Sequence, residues 1–349
     1  MSDLLTRRQF VRLVAGAPAL LAACSAATAP AASSTSAPPP QQLTSIRVAE
    51  PGAIFEPLYT RAGRDAGIYA QYGLDVEFVD APSDTIILSG VISGEFLAGR
   101  VGAQSVLTAI AQGSDIVMVA APHVALPFVF AAQEGYDSLQ SLYGQAVGGG
   151  GPGSFLVNVT DALYRARGLD PGQLVYVNTG TAAQSVAALA ARKIAATLVL
   201  YTDLAVLKRA AVPTVQLADV REALPNYLRT VIVVRRKSLT DDDAVLHRFV
   251  VAHSKAYRWA LAHREAVVQA AQKYQNRDRA DAENNFDLLL QPKLVTPDFA
   301  FTPEQMDYMQ QLNILVGSQH ELMPFDKVAD LRYVQAIAQE LGPYVPPSS

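Results

Sequence analysis

The sequence contains one cysteine among its 349 residues. A single cysteine cannot form an internal disulfide, an all-cysteine zinc site or a cysteine-ligated iron–sulfur centre, so these chemistries are excluded. Charge is also sparse, because 17% of the residues are charged and the formal net charge is −4. A basic surface for nucleic acid is therefore not expected. Since half of the residues are apolar, a chain of this length has enough core for about two globular domains.

The N-terminus lacks an apolar run long enough to span a bilayer. Its weakly apolar stretch, Leu13 to Ala23, has 11 residues, whereas a membrane span needs about 20. Basic residues that include the pair Arg7 and Arg8 precede this stretch. The pattern predicts an export signal over residues 1–23. Paired arginines are common in such signals, but the added Phe10 and the low hydrophobicity of the apolar stretch favour the twin-arginine route over general secretion.

The only cysteine, Cys24, directly follows this signal in the segment Leu21-Ala22-Ala23-Cys24. The segment is similar to a bacterial lipobox, and we therefore predict that Cys24 is acylated and becomes the new N-terminus. The alternative is an ordinary small-residue cleavage site with an incidental cysteine. Residues 25–45 hold six Ala, five Ser, three Thr and four Pro and no charged residue, so residues 24–45 are predicted to form a lipidated cysteine with a flexible linker.

From Ile46 onward, short apolar runs alternate with amphipathic stretches, which is typical of a largely parallel α/β sheet. Strands are predicted at 46–49, 75–79, 96–101, 116–120, 146–148, 174–177 and 194–200. Helices are predicted at 55–69, 84–93, 105–112, 154–167, 182–191 and 203–210, and the chain is mostly helical after Thr240. Gly67-Ile68 recurs as Gly168-Leu169 after 101 residues, which indicates two similar halves. Segments 122–134 and 227–235 are the two candidate connections between them.

These segments resemble a known family. The resemblance rests on Gly67-Ile68-Tyr69, Tyr72-Gly73-Leu74-Asp75-Val76-Glu77, Ser93-Gly94-Glu95-Phe96, Ala111-Gln112-Gly113-Ser114-Asp115, Gly168-Leu169-Asp170-Pro171 and Val234-Arg235-Arg236-Lys237-Ser238-Leu239. In this order they are similar to the bacterial extracytoplasmic solute-binding proteins of ABC importers, in the family that includes aliphatic sulfonate, nitrate, thiamine-precursor pyrimidine and riboflavin binders. The similarity runs from about Ile46 to Lys273.

The resemblance implies a two-lobed α/β fold of the periplasmic-binding-protein type II class, with a two-crossover hinge and a helical C-terminal part. Lobe I would comprise residues 46–124 and 228–349, and lobe II residues 125–227. The implied partners are a small-molecule ligand, the transmembrane subunit of a permease and its ATPase, and the membrane through lipid on Cys24. The chain would act as a monomer without a cofactor and would not be an enzyme. A pyrimidine-synthase-like enzyme or a non-transport surface lipoprotein are the alternatives from other classes.

In open α/β sheets, ligands bind beyond the carboxyl ends of the strands, where helix N-termini present unpaired N–H groups. The candidate contacts at these positions are Glu50, Phe55, Tyr59, Asp84, Gln104, Ser105, Gly153, Ser154, Asn178, Thr181, Tyr201 and Asp203. The glycine run 148–153 lacks the Lys of a phosphate-binding Walker loop, so it is either a backbone-lined ligand wall or a flexible turn.

We call the segments that carry these contacts the candidate loops; they are 50–59, 82–85, 102–105, 149–155, 178–182 and 200–203. The candidate loops contain carboxylates but no Lys or Arg, which disfavours an anionic ligand. Helix N-termini and hydroxyls alone can nevertheless hold a sulfonate, and Arg229 lies in the second connection, from which it could swing in toward an anion. Phe55, Tyr59, Phe155 and Tyr201 offer flat walls, and the polar candidates offer hydrogen bonds. The sequence therefore favours a neutral planar heterocycle, riboflavin first or a thiamine-precursor pyrimidine, with aliphatic sulfonate, taurine or nitrate as the alternative.

Overall fold

The computed structural model describes residues 42–52, 54–151, 153–290 and 296–345. The predicted export signal, Cys24 and most of the predicted linker lie outside these residues. None of the helices in the described ranges is long and apolar enough to cross a membrane.

Strands and helices alternate through the first two thirds of the chain, as the sequence predicts. Up to residue 235 the elements are β1 (Thr44–Pro51), α1 (Pro57–Asp65), α2 (Ile68–Gln71), β2 (Leu74–Ala81), α3 (Asp84–Ser93), β3 (Ala98–Gly102), α4 (Ala103–Ala111), β4 (Ile116–His123), β5 (Phe128–Gln133), β6 (Ala146–Gly149), α5 (Phe155–Ala166), β7 (Val175–Asn178), α6 (Ala182–Ala190), β8 (Ala196–Leu200), α7 (Tyr201–Arg209), β9 (Thr214–Asp219), α8 (Val220–Ala223) and β10 (Thr230–Arg235). They are followed by α9 (Ser238–Asp241), α10 (Asp243–Leu261), α11 (Arg264–Gln275), α12 (Arg279–Leu289), α13 (Pro303–Leu315), α14 (Phe325–Val328) and α15 (Arg332–Leu341).

In the described ranges the strands form two five-stranded sheets, which confirms the predicted α/β class. The first sheet has the order β2-β1-β3-β10-β4 and the second has the order β7-β6-β8-β5-β9. In each sheet one inner strand, β10 or β5, runs antiparallel to both of its neighbours. These two strands follow the connections between the sheets, so each sheet is completed by a strand that the chain reaches on crossing over.

The first sheet is covered on one face by α1, α10 and α15, and the pattern of β2 shows why. Leu74, Val76 and Phe78 of β2 are buried, whereas Asp75 and Glu77 between them are exposed. This two-residue period directs one face of the strand toward the helices and the other face toward solvent. The last strand, β4, is buried along its whole length because residues near α14 cover its edge, with Met118 bridged to Ala329.

Several elements differ from the sequence-based predictions, and β5 and β10 lie in the two segments predicted as connections. The helix predicted over 55–69 is divided, because Gly67 takes a left-handed conformation with φ of 77° between α1 and α2. The long helical run after Thr240 breaks at Ala262 and His263, between α10 and α11. Strand β9 was not predicted. It is a half-buried edge strand, so it lacks the continuous apolar run that marked the inner strands.

Candidate functional site

The parallel strands of each sheet end at an edge that carries the candidate ligand-binding residues, and we call it the cleft edge of that sheet. Helices α3 and α4 begin at the cleft edge of the first sheet, and α5, α6 and α7 begin at that of the second. Gln104 of α4 lines one small cavity together with Asn158, Asp161 and Arg165 of α5. The start of α4 therefore lies near the middle of α5.

Three predicted or neighbouring residues form one hydrogen-bonded group at the cleft edge of the first sheet. Oδ2 of Asp84 accepts from the backbone N–H of Gly102 at 3.1 Å and from the hydroxyl of Ser105 at 2.7 Å. A Cβ atom at position 102 would stand 3.0 Å from Oδ2, so glycine permits this approach. Among the described residues Asp84 forms no ion pair, so its charge is stabilised by neutral donors and by the N-terminus of α3.

Gln104 joins the cleft edge of the first sheet to the second connection between the sheets. Its Oε1 accepts from the hydroxyl of Tyr227 at 2.9 Å, and its backbone carbonyl accepts from the side-chain amide of Asn313 at 3.0 Å. The side chain of Gln104 is half-buried. This contact positions Gln104 between the two sheets, and the sequence had not singled out Tyr227 or Asn313.

The glycine run closes against itself before α5. A Cβ at Gly150 would lie 2.6 Å from Oγ of Ser154, and Gly153 has φ of 75°, a conformation that favours glycine. Ser154 occupies the N-cap position of α5, but its side chain makes no capping hydrogen bond. Within the described residues its buried Oγ has no partner. The first N–H groups of α5 therefore remain without a side-chain cap.

Phe155, the first residue of α5, is the most exposed of the aromatic candidates at 40%. Its ring lies 5.6 Å from the ring of Phe128, which is 4% exposed and begins β5. Phe128 thus packs against Phe155 from the interior and leaves part of the Phe155 ring exposed for another contact. The sequence placed Phe128 in a connection and did not connect it with the site.

Asn178 and Thr181 use their polar atoms within their own loop. Oδ1 of Asn178 accepts from the N–H of Gly180 at 3.0 Å. Thr181 caps α6 through a reciprocal pair with Gln184, in which the Thr181 hydroxyl accepts from the Gln184 N–H and the Gln184 side chain accepts from the Thr181 N–H. These bonds hold the loop in shape, and contact of either side chain with a ligand stays a prediction.

Tyr201 begins α7 and lines a cavity of about 270 Å³. Its hydroxyl donates to the carboxylate of Asp219, at the end of β9, with both O–O distances at 2.8 Å. Burial and this hydrogen bond raise the pKa of Tyr201 above its usual value, so the hydroxyl remains a donor. Leu288 of α12 lines the same cavity, as do Leu204, Ala205, Lys208 and Arg221. The cavity is near the lower limit of small-molecule sites, which is about 300 Å³.

Asp203 lies on α7 next to two charged residues from the C-terminal part of the chain. Burial, followed by the neighbouring carboxylate of Asp281, raises the pKa of Asp203, while Arg277 opposes the shift. Asp203 is half-buried. It therefore belongs to the contact between α7 and α12.

Three other candidates lie in the interior. The ring of Tyr59 is packed 4.9 Å from that of Tyr257 and 5.8 Å from that of Phe286, and it has no exposed surface. Phe55, at 3% exposure, packs edge-on against Tyr59. Glu50 is fully buried. Glu50 and Tyr59 offer no surface to a ligand in this conformation, and we leave them out of the site proposed below.

Glu50 instead belongs to a buried charged group behind the cleft edge of the first sheet. Its Oε2 is 3.7 Å from Nε of Arg61, and its Oε1 accepts from the hydroxyl of Thr60 at 3.4 Å. Arg100 is fully buried on β3 and interacts electrostatically with Glu50. Burial raises the pKa of Glu50 to about 7, although Arg100 and Arg61 act against it.

A second buried ion pair joins Glu56 to Arg229, which are 173 positions apart in the chain. The side chains are 5% and 12% exposed, and Nη1 of Arg229 donates to Oε1 of Glu56. Burial alone would raise the pKa of Glu56, but Arg229, helped by His123 and Arg100, lowers it to about 2. Arg229 is therefore neutralised by a carboxylate of its own protein.

Within the described ranges, no group of three or more His, Cys, Asp or Glu residues has the arrangement to hold a metal ion. The polar groups at the cleft edges are amides, hydroxyls, carboxylates and the backbone of the glycine run. Such groups form hydrogen bonds with a small molecule.

Solved structures share this architecture at low sequence identity. The periplasmic aliphatic sulphonate binding protein SsuA from Escherichia coli matches with a TM-score of 0.68 at 16% identity, over 82% of this chain and 91% of that one. The periplasmic nitrate-binding protein NrtA from Synechocystis PCC 6803 matches with a TM-score of 0.66 at 14% identity, over 86% and 89%. The Candida albicans CA3427 product, described as having the generic periplasmic binding protein fold, matches with a TM-score of 0.59 at 12% identity, over 85% and 95%.

These matches confirm the predicted fold, with its two α/β sheets and helical C-terminal part. No curated protein matches the chain. A family model described as NMT1/THI5 like matches residues 55–267, which is more than half of the 349 residues. The chain thus has the periplasmic binding protein fold and belongs to the NMT1/THI5-like family.

Proposed function

We propose that this protein is the extracytoplasmic solute-binding receptor of an ABC importer. It captures a small molecule between its two sheets and delivers it to the transmembrane subunit of a permease, whose ATPase drives import. It acts as a monomer and without catalysis or a cofactor. The family membership and the sulphonate- and nitrate-binding proteins of the same fold support this role.

The cleft edges support capture by closure. Asp84, Gln104 and Ser105 come from the first sheet, whereas Gly153, Ser154, Phe155 and Tyr201 come from the second. A ligand that contacts both sets is held best when the two sets are close together. Ligand binding therefore shifts the population toward the closed form by its extra affinity for that form. The closed form is the one that docks on the permease.

The ligand that we propose is a neutral, planar molecule with polar edges, riboflavin first or else a thiamine-precursor pyrimidine. The observation that carries this proposal is the neutralisation of Arg229 by Glu56, because Arg229 is the cation that the sequence singled out as a partner for an anion. Asp84 has no cationic partner among the described residues. The exposed ring of Phe155 offers a flat apolar contact.

A second candidate is an aliphatic sulfonate, taurine or nitrate. The specific observation in its favour is that α5 and α7 begin without a side-chain capping hydrogen bond. Free N–H groups at helix N-termini bind anions without help from a basic side chain. Two of the solved structures of this fold are described as sulphonate- and nitrate-binding proteins.

The two candidates are separated by a binding experiment on the purified full-length protein. Its visible absorbance is recorded, and its thermal stability is then followed with riboflavin, a hydroxymethylpyrimidine, methanesulfonate and nitrate. A bound ligand raises stability by RT ln(1 + [L]/Kd). A yellow protein or a shift with a heterocycle alone supports the first candidate. A rise in thermal stability with the anions alone contradicts the first candidate. If no small molecule binds saturably, the receptor role is contradicted.

Phe155→Ala should weaken binding of the heterocycle about tenfold, because a stacked aromatic contact contributes about 1 kcal/mol beyond buried area. The matched control is Val175→Ala, which truncates an exposed residue at the start of β7, the end of this strand away from the cleft edge. Titration calorimetry on both variants measures the effect. Equal affinities for Phe155→Ala and Val175→Ala would contradict the placement of the ligand at α5.

Cys24→Ala should release the protein from the membrane fraction, since lipid on Cys24 is the proposed anchor. The measurement is the partition between pellet and supernatant after cell lysis and ultracentrifugation. Ser25→Ala, which changes the neighbouring residue, is the control and should stay in the pellet. If Cys24→Ala also remains in the pellet, the lipid anchor at this cysteine is wrong.

A further inference from the structure

The carboxylate of Asp84 is positioned unlike the buried carboxylates of Glu50 and Glu56. Glu50 and Glu56 each face an arginine, whereas Asp84 has no ion pair within the described part of the chain. Both of its hydrogen bonds go to Oδ2, from Gly102 N–H and from the Ser105 hydroxyl. Oδ1 has no hydrogen-bond partner among the residues that the structure describes.

These bonds orient the carboxylate. The N–H of Gly102 and the hydroxyl of Ser105 come from the start of α4, and Asp84 itself is the first residue of α3. The carboxylate therefore spans the beginnings of two helices that start at the cleft edge of the first sheet. Asp84 is half-buried, so its charge is only partly screened by water. Gly102 and Ser105 are already bonded to Asp84, and an anionic ligand would have to displace it to reach them.

We propose that Asp84 determines ligand specificity, with Oδ1 accepting an N–H or O–H group of a neutral ligand and the negative charge excluding anionic solutes from the first sheet's side of the cleft. This inference rests on the proposed receptor function and deepens it. The chemical class that it selects is a neutral solute with a hydrogen-bond donor on its edge. A solute whose polar edge carries only acceptors, or a negative charge, is rejected by the same carboxylate.

The test compares Asp84→Asn with the wild-type protein in titrations with methanesulfonate and with riboflavin. Asn keeps the size of the side chain and an oxygen that accepts from Gly102 and Ser105, while the charge is removed. Methanesulfonate should bind about tenfold more tightly to Asp84→Asn, because a unit charge a few ångströms away has been removed at intermediate dielectric. Riboflavin should bind about tenfold less tightly, because a charge-assisted hydrogen bond becomes a neutral one.

The matched control is Asp75→Asn, which removes an exposed carboxylate at the other end of β2, the strand that precedes Asp84. It should leave both affinities unchanged. Raising the salt concentration should reduce the difference in methanesulfonate affinity between the wild type and Asp84→Asn, because salt screens the repulsion by the Asp84 carboxylate. Melting curves and circular dichroism check folding, and Asp84→Ser replaces Asp84→Asn if the latter does not fold.

An unchanged affinity for methanesulfonate in the folded Asp84 variant would overturn the inference, whatever riboflavin does. A gain for methanesulfonate in the Asp84 variant but not in Asp75→Asn supports it. If wild-type protein does not bind riboflavin while this gain is seen, riboflavin is the wrong ligand but the role of Asp84 in excluding anions stands. The failure of the ligand proposal is thus distinguishable from the failure of this inference.

Discussion

Glu56→Gln is expected to lower the free energy of unfolding by about 3–5 kcal/mol, the usual cost of leaving one member of a buried ion pair without its partner. Glu56 and Arg229 are 5% and 12% exposed, so water cannot replace the lost carboxylate. The lowering of the pKa of Glu56 from 4.5 to about 2 corresponds to about 3 kcal/mol. Chemical denaturation at pH 7 measures the loss.

A double variant shows whether the pair itself is responsible. Arg229→Met combined with Glu56→Gln should lose less than the sum of the single variants, because neither charge is then left unpaired. Arg47→Met removes an exposed arginine that pairs with Glu77 and Glu95, and it should cost less than about 1 kcal/mol. A loss below 1 kcal/mol for Glu56→Gln would show that the buried pair does not stabilise the fold.

The same pair predicts a response to acid. The folded-state pKa of Glu56 is below its ordinary value, so its contribution is fully present above pH 4.5 and is lost as the pH falls toward 2. In Glu56→Gln this part of the acid sensitivity should be absent. The pair ties the start of α1 to the segment that leads into β10. Loss of the pair therefore loosens the second connection between the sheets.

Glu50→Gln should change the pH dependence of stability in the opposite direction. The folded-state pKa of Glu50 is raised from 4.5 to about 7, so between these values the folded protein holds a proton that the unfolded chain has released. The contribution of Glu50 is full below pH 4.5 and falls as the pH rises through 7. The wild type should therefore lose up to about 3 kcal/mol relative to Glu50→Gln between pH 4.5 and pH 8.

The wild type has to be compared with Glu50→Gln because neighbouring histidines change the stability with pH in the opposite direction. Burial lowers the pKa of His253 to about 3 and holds that of His123 well below its usual value, so both increasingly stabilise the folded state as the pH rises toward 6.5. Subtracting the curve of Glu50→Gln from that of the wild type removes these contributions. Glu77→Gln, an exposed carboxylate on β2, is the control. A wild-type curve parallel to that of Glu50→Gln would contradict the prediction.

Much of the fold follows from local patterns. The alternation of apolar and polar residues in β2 and the N-cap serine of α3, Ser83, are visible in the sequence. The strands and helices around them lie where the pattern predicts. Gly67 is also visible, but whether it ends a helix or bends one depends on the packing of α2 against the sheet. Strand β9 could not be predicted from its own residues, because it is a strand through its hydrogen bonds to β5. Edge strands are specified by their partners more than by their own residues.

The site shows the same division. The sequence placed Asp84, Gln104 and Ser105 in loops after strands, and the topology of parallel strands brings such loops to one edge. It could not place Glu50 and Tyr59, because one position along a strand or a fraction of a helical turn moves a side chain from the cleft to the interior. The sequence shows directly that the candidate loops contain no basic residue, but it does not show that Glu56 neutralises Arg229.

The sequence by itself determined the α/β class, the two similar halves, the run of glycines before α5 and the shortage of cations in the candidate loops. These properties depend on periodicity and composition over neighbouring residues. Only the tertiary structure decided that Glu56 pairs with Arg229 and that Asp84 bonds to Gly102 and Ser105 with no cationic partner among the described residues. The first pair is 173 residues apart in the chain, and long-range contacts of this kind arise only when the two sheets and their crossing strands are assembled.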